Sequence, residues 1–233
     1  GHGIHDHGAN VLAPAGILAA IAILKNSLLV EYVPFMVLLF SLYVISGGIN
    51  IAGSLRGTPR TNTQIMLIGS VVASLIGTTG AAMVLIRPLI RANANREFVS
   101  HTVVFFIFIV CNTGGCLLPI GDPPLFLGYL RGVPFFWTLQ LAPHWAFMNG
   151  ILLVVYFAWD SCYFHKEQPH VAPAAEPFAI RGKFNCLLLF SVIACVATLD
   201  PSKHVPGTTF VAPLYLREGL MLLLAGLSVV LTS

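Results

Sequence analysis

Residues 101–130 read HTVVFFIFIVCNTGGCLLPIGDPPLFLGYL. An unbroken apolar run, Val103 to Val110, leads straight into Cys111-Asn112-Thr113-Gly114-Gly115-Cys116. Pro119, Gly121, Pro123 and Pro124 follow at once. A proline inside a helix removes a hydrogen bond and its ring clashes with the preceding turn. One continuous helix through this stretch is therefore not expected. The flanks are apolar, and a helix needs about 20 such residues to cross a ~30 Å hydrocarbon core. The reading is a broken helix over 102–130, interrupted near 112–116. Backbone groups freed inside lipid have no water and must be satisfied by protein or by a ligand.

Asp122 lies among these breakers with apolar residues on both sides. A carboxylate inside a membrane points to function. It can equally cap a helix at the membrane surface, with Pro123 in the first helical position. The two roles are compatible where the cap lines a cavity.

A second apolar run, residues 64–90, is interrupted at Gly77-Thr78-Thr79-Gly80-Ala81. At ~1.5 Å per residue its two arms are roughly 20 and 15 Å long, too short to cross alone. The preferred reading is a re-entrant hairpin with GTTG at its tip. The alternative is one helix with a packing glycine and threonine hydroxyls bonded back to the previous turn. Candidate ion- or substrate-binding residues are therefore Thr78, Thr79 and Gly80 in one break. In the other they are Asn112, Thr113, Gly114, Gly115 and Asp122. Glycine lets a ligand approach the backbone. The Thr and Asn oxygens are hard donors, better suited to sodium than to soft metals. In many secondary transporters, half-helix C-termini face cations and half-helix N-termini face anions.

Working outward, six stretches carry no Asp, Glu, Lys or Arg: 32–55, 61–86, 102–121, 132–159, 184–199 and 219–233. Residues 14–24 form a shorter apolar stretch, either an interfacial helix or a partial span. The expected fold is an all-α polytopic membrane protein. Its parts are a 1–30 N-terminal segment with a short apolar helix, a 31–160 membrane domain, a polar loop over 161–183, and further membrane helices over 184–233. Composition agrees: 57% of residues are hydrophobic, 9% are charged, and mean hydropathy is +0.85. Soluble domains carry roughly 25% charged residues. Trp137, Trp145, Tyr156, Trp159 and Tyr163 are expected at the headgroup level. Positive residues sit on successive linkers, so charge does not fix orientation. A run 61–91 that returned to its own side would put the Arg56/Arg60 and Arg91/Arg96 linkers on one face.

Other features carry less. The net charge of +3 is scattered, and no basic stripe supports nucleic-acid binding. The five cysteines form no CxxC and read as small hydrophobes. His2, His5, Asp6 and His7 make a short His-rich tract, read as a solvated segment, with weak divalent-metal binding as the alternative. His101 reads as an interfacial anchor, with a proton path as the alternative. Arg87 reads as snorkelling, with attraction of an anionic substrate as the alternative, Arg131 as a loop turn and His144 as an interface residue. HExxH, GxSxG and P-loop patterns are absent, which leaves a membrane-embedded enzyme or a structural subunit with little support. No cofactor is expected.

ISGGINIAGSLRGTP (45–59), SLIGTTGAAMVLIRPLI (74–90) and residues 101–139 resemble the ion transporter superfamily. The nearest branch holds citrate transporters and sodium/proton antiporters of the NhaD type. The NTGG and PIGDPP elements are also similar to arsenite-permease and melanosomal P-protein relatives. The resemblance implies an inverted-repeat transporter with a scaffold part and a moving part. Each repeat contributes a re-entrant hairpin and a broken helix, and here GTTGA matches the hairpin tip and NTGG the break. It implies a multi-pass protein of the bacterial inner membrane that holds the first repeat, with the second repeat missing and supplied by a C-terminal half. A homodimer is compatible with it. Two activities follow as expectations. The first is sodium/proton antiport, with Asp122 as the group that binds either ion, since no other acidic residue lies between Glu97 and Asp160. The second is cation-coupled transport of citrate or a dicarboxylate, with half-helix amides facing the carboxylates.

Overall fold

The computed structural model describes residues 17–53, 55–167, 179–199, 213 and 215–232. The His2/His5/Asp6/His7 tract lies outside them. The first helix, α1 (Ile17–Asn26), runs through a wide turn at Ser27–Tyr32 into α2 (Val33–Gly47). Pro34 has no N–H to donate to the turn before it, and the ladder changes register there. The expected boundary near residue 30 is thus absent: the short apolar stretch and the following span are one helical run.

Helix α3 (Pro59–Ile76) starts cleanly, with the Thr58 hydroxyl accepting from the Thr61 N–H at 3.2 Å and Pro59 in the first turn. It stops at Gly77, whose φ of +80° suits glycine and strains any other residue. Helix α4 (Thr78–Ala92) follows immediately. The two helices fold back on each other. A side chain at Gly69 would meet Leu85 at 2.9 Å, and the Asn62 and Asn93 amides bond reciprocally at 2.9 Å. Those pairs lie at matching distances on either side of Gly77.

Beyond the hairpin come α5 (Ser100–Ile109), α6 (Pro123–Leu130), α7 (Ala142–Phe164), α8 (Lys183–Thr198) and α9 (Leu216–Thr232). Stretches Ala19–Gly47, Ser100–Leu117 and Phe135–Phe164 are long and apolar enough to cross a membrane. Leu38, Leu42 and Ile45 of α2 pack with Met66 and Ala73 of α3, Leu89 of α4 and Phe106 and Ile109 of α5. Phe147, Val154 and Leu187 point outward, 66, 70 and 59% exposed. Water would not tolerate so many of these, whereas lipid does.

The fold is mostly helical, as expected for an all-α membrane protein, and carries one short ribbon in which β1 (Asn50–Ala52) pairs antiparallel with β2 (Ala179–Arg181), Ile51 opposite Ile180. Within 161–183, α7 runs on to Phe164 and β2 lies at the far end. Residues 168–178 lie outside the described ones. Arg217 and Glu218 form the first turn of α9, 3 and 4% exposed. They pair with each other at 2.6 Å, and the Arg217 guanidinium stands 5.8 Å from the Tyr129 ring centre. A buried charge needs such a partner. Asn185 joins α8 to α9, donating to Thr232 and accepting from Ser228, both at 2.9 Å.

Candidate functional site at a helix break

After Ile109 the α-helix is lost until Pro123. Between them lie two tight turns, Thr113–Leu117 and Pro119–Gly121, with Leu118 and Asp122 extended. The hairpin tip lies against this break. A side chain at Gly77 would meet the Ile120 carbonyl at 3.4 Å, and one at Gly115 would meet the Thr78 methyl at 2.7 Å. Gly115 and Gly121 bring their backbones into direct contact, which a Cβ at either position would prevent. The expected site residues thus divide. Thr78, Gly115 and the Gly77–Gly80 turn come together with the break. Gly80 is buried against Ser46 of α2, 3.3 Å from where its side chain would begin. Thr79 and Asn112 are exposed, and Thr78 and Asp122 half-buried.

Thr113 and Gly114 turn the other way. The Thr113 hydroxyl sits 2.9 Å from Asn149 Oδ1 on α7 and 3.0 Å from the Phe108 carbonyl. The Gly114 carbonyl accepts from the Ser74 hydroxyl on α3 and from the Trp145 indole N–H at 3.2 Å. The Leu117 carbonyl accepts from Thr138 at 2.8 Å. Trp145 therefore faces inward to the break. Sequence reading missed Ser74, Thr138, Trp145 and Asn149. One signal was present: Ser70 and Ser74, and Trp145 and Asn149, are each spaced four apart, so each pair shares a helix face.

Unlike these, the side chains of Thr78, Thr79, Asn112 and Asp122 make no hydrogen bond among the described residues. Asp122 caps α6 through its backbone only, its carbonyl accepting from Leu125 and Phe126 at 3.1 and 3.2 Å. The first intrahelical bond of α4 runs from the Ala81 N–H to the Gly77 carbonyl. The N–H groups of Thr78, Thr79 and Gly80 thus have no partner within their helix.

A family model described as "Putative citrate transport" matches residues 8–233. The chain belongs to this family. It is accordingly a membrane transporter, in keeping with its long apolar helices. No curated protein and no solved structure matches the chain. The match also agrees with the resemblance carried by the GTTGA and NTGG elements.

This citrate-transport family chain has a second polar centre, at the open end of the hairpin. Asp160, fully buried on α7, lies 2.7 Å from Arg96 and 2.9 Å from His101 Nε2. Asn62 and the Tyr156 hydroxyl donate to its other oxygen at 3.2 and 3.0 Å. Arg96 also donates to Glu167 at 3.0 Å, and Glu167 accepts from the Phe98 N–H at 3.0 Å. Burial alone would lower the pKa of Arg96, but its bonds and attraction to Asp160 and Glu167 outweigh that and hold it above the usual arginine value. Tyr156, read as a headgroup anchor, is buried in the network, and His101 is a bonded member of it. Arg87 and His144 are exposed, and Arg131 pairs with Glu31 at 3.1 Å at the end of α6.

Proposed function

We propose that this chain forms the solute site of a secondary carrier for a small carboxylate of the citrate class, coupled to a cation. One observation carries the reading: the free N-terminal amides of α4 lie against the helix break. Helix N-termini favour anions, and unwound backbone favours cations. Both charges of a coupled pair would find a counterpart there. Depth supports it. At ~1.5 Å per residue, His101 to Val110 is about 14 Å and Pro123 to Arg131 about 12 Å. The break thus lies about halfway between two charged ends, which suits the middle of a ~30 Å core. In this reading the hairpin is re-entrant, and the protein is multi-pass in the cell membrane. Uptake of labelled citrate into proteoliposomes, driven by an inward sodium or proton gradient, tests it. Uptake that falls in Thr78→Val and Thr79→Val supports the proposal. Absence of uptake for citrate and dicarboxylates under either gradient refutes it.

Sodium/proton antiport is the second reading, favoured by the unbonded, half-buried side chain of Asp122. Sodium-driven proton flux in the same vesicles distinguishes it. Flux that persists in Asp122→Asn removes this carboxylate from the exchange.

A further inference from the structure

We propose that Ser74, on the first arm of the hairpin, positions the helix break for its solute and ties it to the hairpin tip. This rests on the reading of tip and break as the solute site. Ser74 is 3% exposed and three residues before Gly77. Its hydroxyl donates to the Gly114 carbonyl and accepts from the Leu117 N–H at 3.3 Å. Those groups are the two ends of one tight turn, so a single hydroxyl from another helix bridges that turn.

A serine in an apolar helix usually bonds back to its own preceding turn. Ser70 does so, donating to the Leu67 carbonyl at 2.8 Å. Ser74 instead reaches across, and α3 comes close enough because residue 114 is glycine. A side chain there would begin 2.8 Å from the Ser70 Cα.

The bridge selects which oxygens remain for a solute. A carbonyl has two lone pairs. On Gly114 both are taken, one by Ser74 and one by the Trp145 indole. Leu117 gives its carbonyl to Thr138. The Gly114 carbonyl is thus withdrawn from the solute, which meets the α4 amides, the remaining carbonyls of the break and the side chains of Thr78, Thr79, Asn112 and Asp122. Three residues of helix, about 4.5 Å, separate Ser74 from Gly77. A shift of the tip is therefore carried to the Gly114–Leu117 turn.

The test compares Ser74→Ala with Ser74→Thr in the full-length protein. Loss of one buried hydrogen-bonding group raises the half-saturating citrate and sodium concentrations about tenfold with Vmax nearly unchanged, and Ser74→Thr restores them. Half-saturation unaltered in Ser74→Ala, or a threonine variant as impaired as the alanine one, overturns the proposal. A second readout needs no transport. With Trp137→Phe and Trp159→Phe, Trp145 is the sole tryptophan of the chain. Its emission shifts in Ser74→Ala and not in Ser74→Thr. An unshifted emission overturns the bridge whatever the vesicles do. Missing citrate uptake in the parent protein, with the emission shift present, refutes the carboxylate reading alone.

Discussion

The two polar centres of this molecule are built on opposite terms. Around Asp160 the side chains of Asn62, Arg96, His101 and Tyr156 converge on one buried carboxylate. At the break, Asp122, Asn112, Thr78 and Thr79 keep their side chains unbonded, and glycines bring bare backbone together. The first centre resembles a fastening, since a satisfied buried network is rigid and costly to disrupt. The second keeps its bonding capacity in reserve.

That contrast can be broken by mutation. Asp160→Ala should have the largest effect on stability, about 3–5 kcal/mol, because it takes from Arg96 one of its two carboxylates and from Asn62, His101 and Tyr156 a shared buried acceptor. Thermal unfolding in detergent, compared with the parent, measures it. Gly115→Ala comes next, at about 1–3 kcal/mol, because the new methyl meets the Gly121 carbonyl at 2.7 Å. Here the same melt should be paired with transport, which falls as tip and break are forced apart. Asn93→Ala removes the reciprocal amide pair and leaves Asn62 half-satisfied, at a cost of about 1–2 kcal/mol. Its signature is faster hydrogen exchange at the open end of the hairpin and not at the tip. Asp122→Asn should change stability least, by about 0.5 kcal/mol or less, because its side chain holds nothing. Its coupled ion flux should nevertheless be lost. A large melting shift in Asp122→Asn with a small one in Asp160→Ala would reverse the roles assigned to the two centres.

Sequence reading reached the break more easily than the fastening, for a physical reason. Chain-breaking chemistry is local: Gly77, the Gly114-Gly115 pair and Pro119, Pro123 and Pro124 announce interruptions through their own backbone limits. Partnership is not local. Asp160 follows an apolar run and reads as the start of a loop, and its partners come from residues 62, 96, 101 and 156. Only Tyr156, four residues away on α7, shares a window with Asp160; the other three partners come from elsewhere in the chain. Ser74 was hidden by a commoner use of serine in apolar helices, and Arg217 and Glu218 by the habit of assigning charges to linkers. The union of α1 and α2 was concealed by Glu31 and Pro34. Both interrupt a hydropathy count, and neither ends the helix here.

The small ribbon of β1 and β2 has a consequence for biogenesis. Asn50–Ala52 leaves the ribosome well over a hundred residues before Ala179–Arg181 arrives to pair with it. Gly48 and Gly182 touch beside that ribbon, so the seam closes only when α8 docks. Until then one strand edge waits unclaimed. Completion of this seam is thus a late step of assembly, set by the last segment of the chain to reach it.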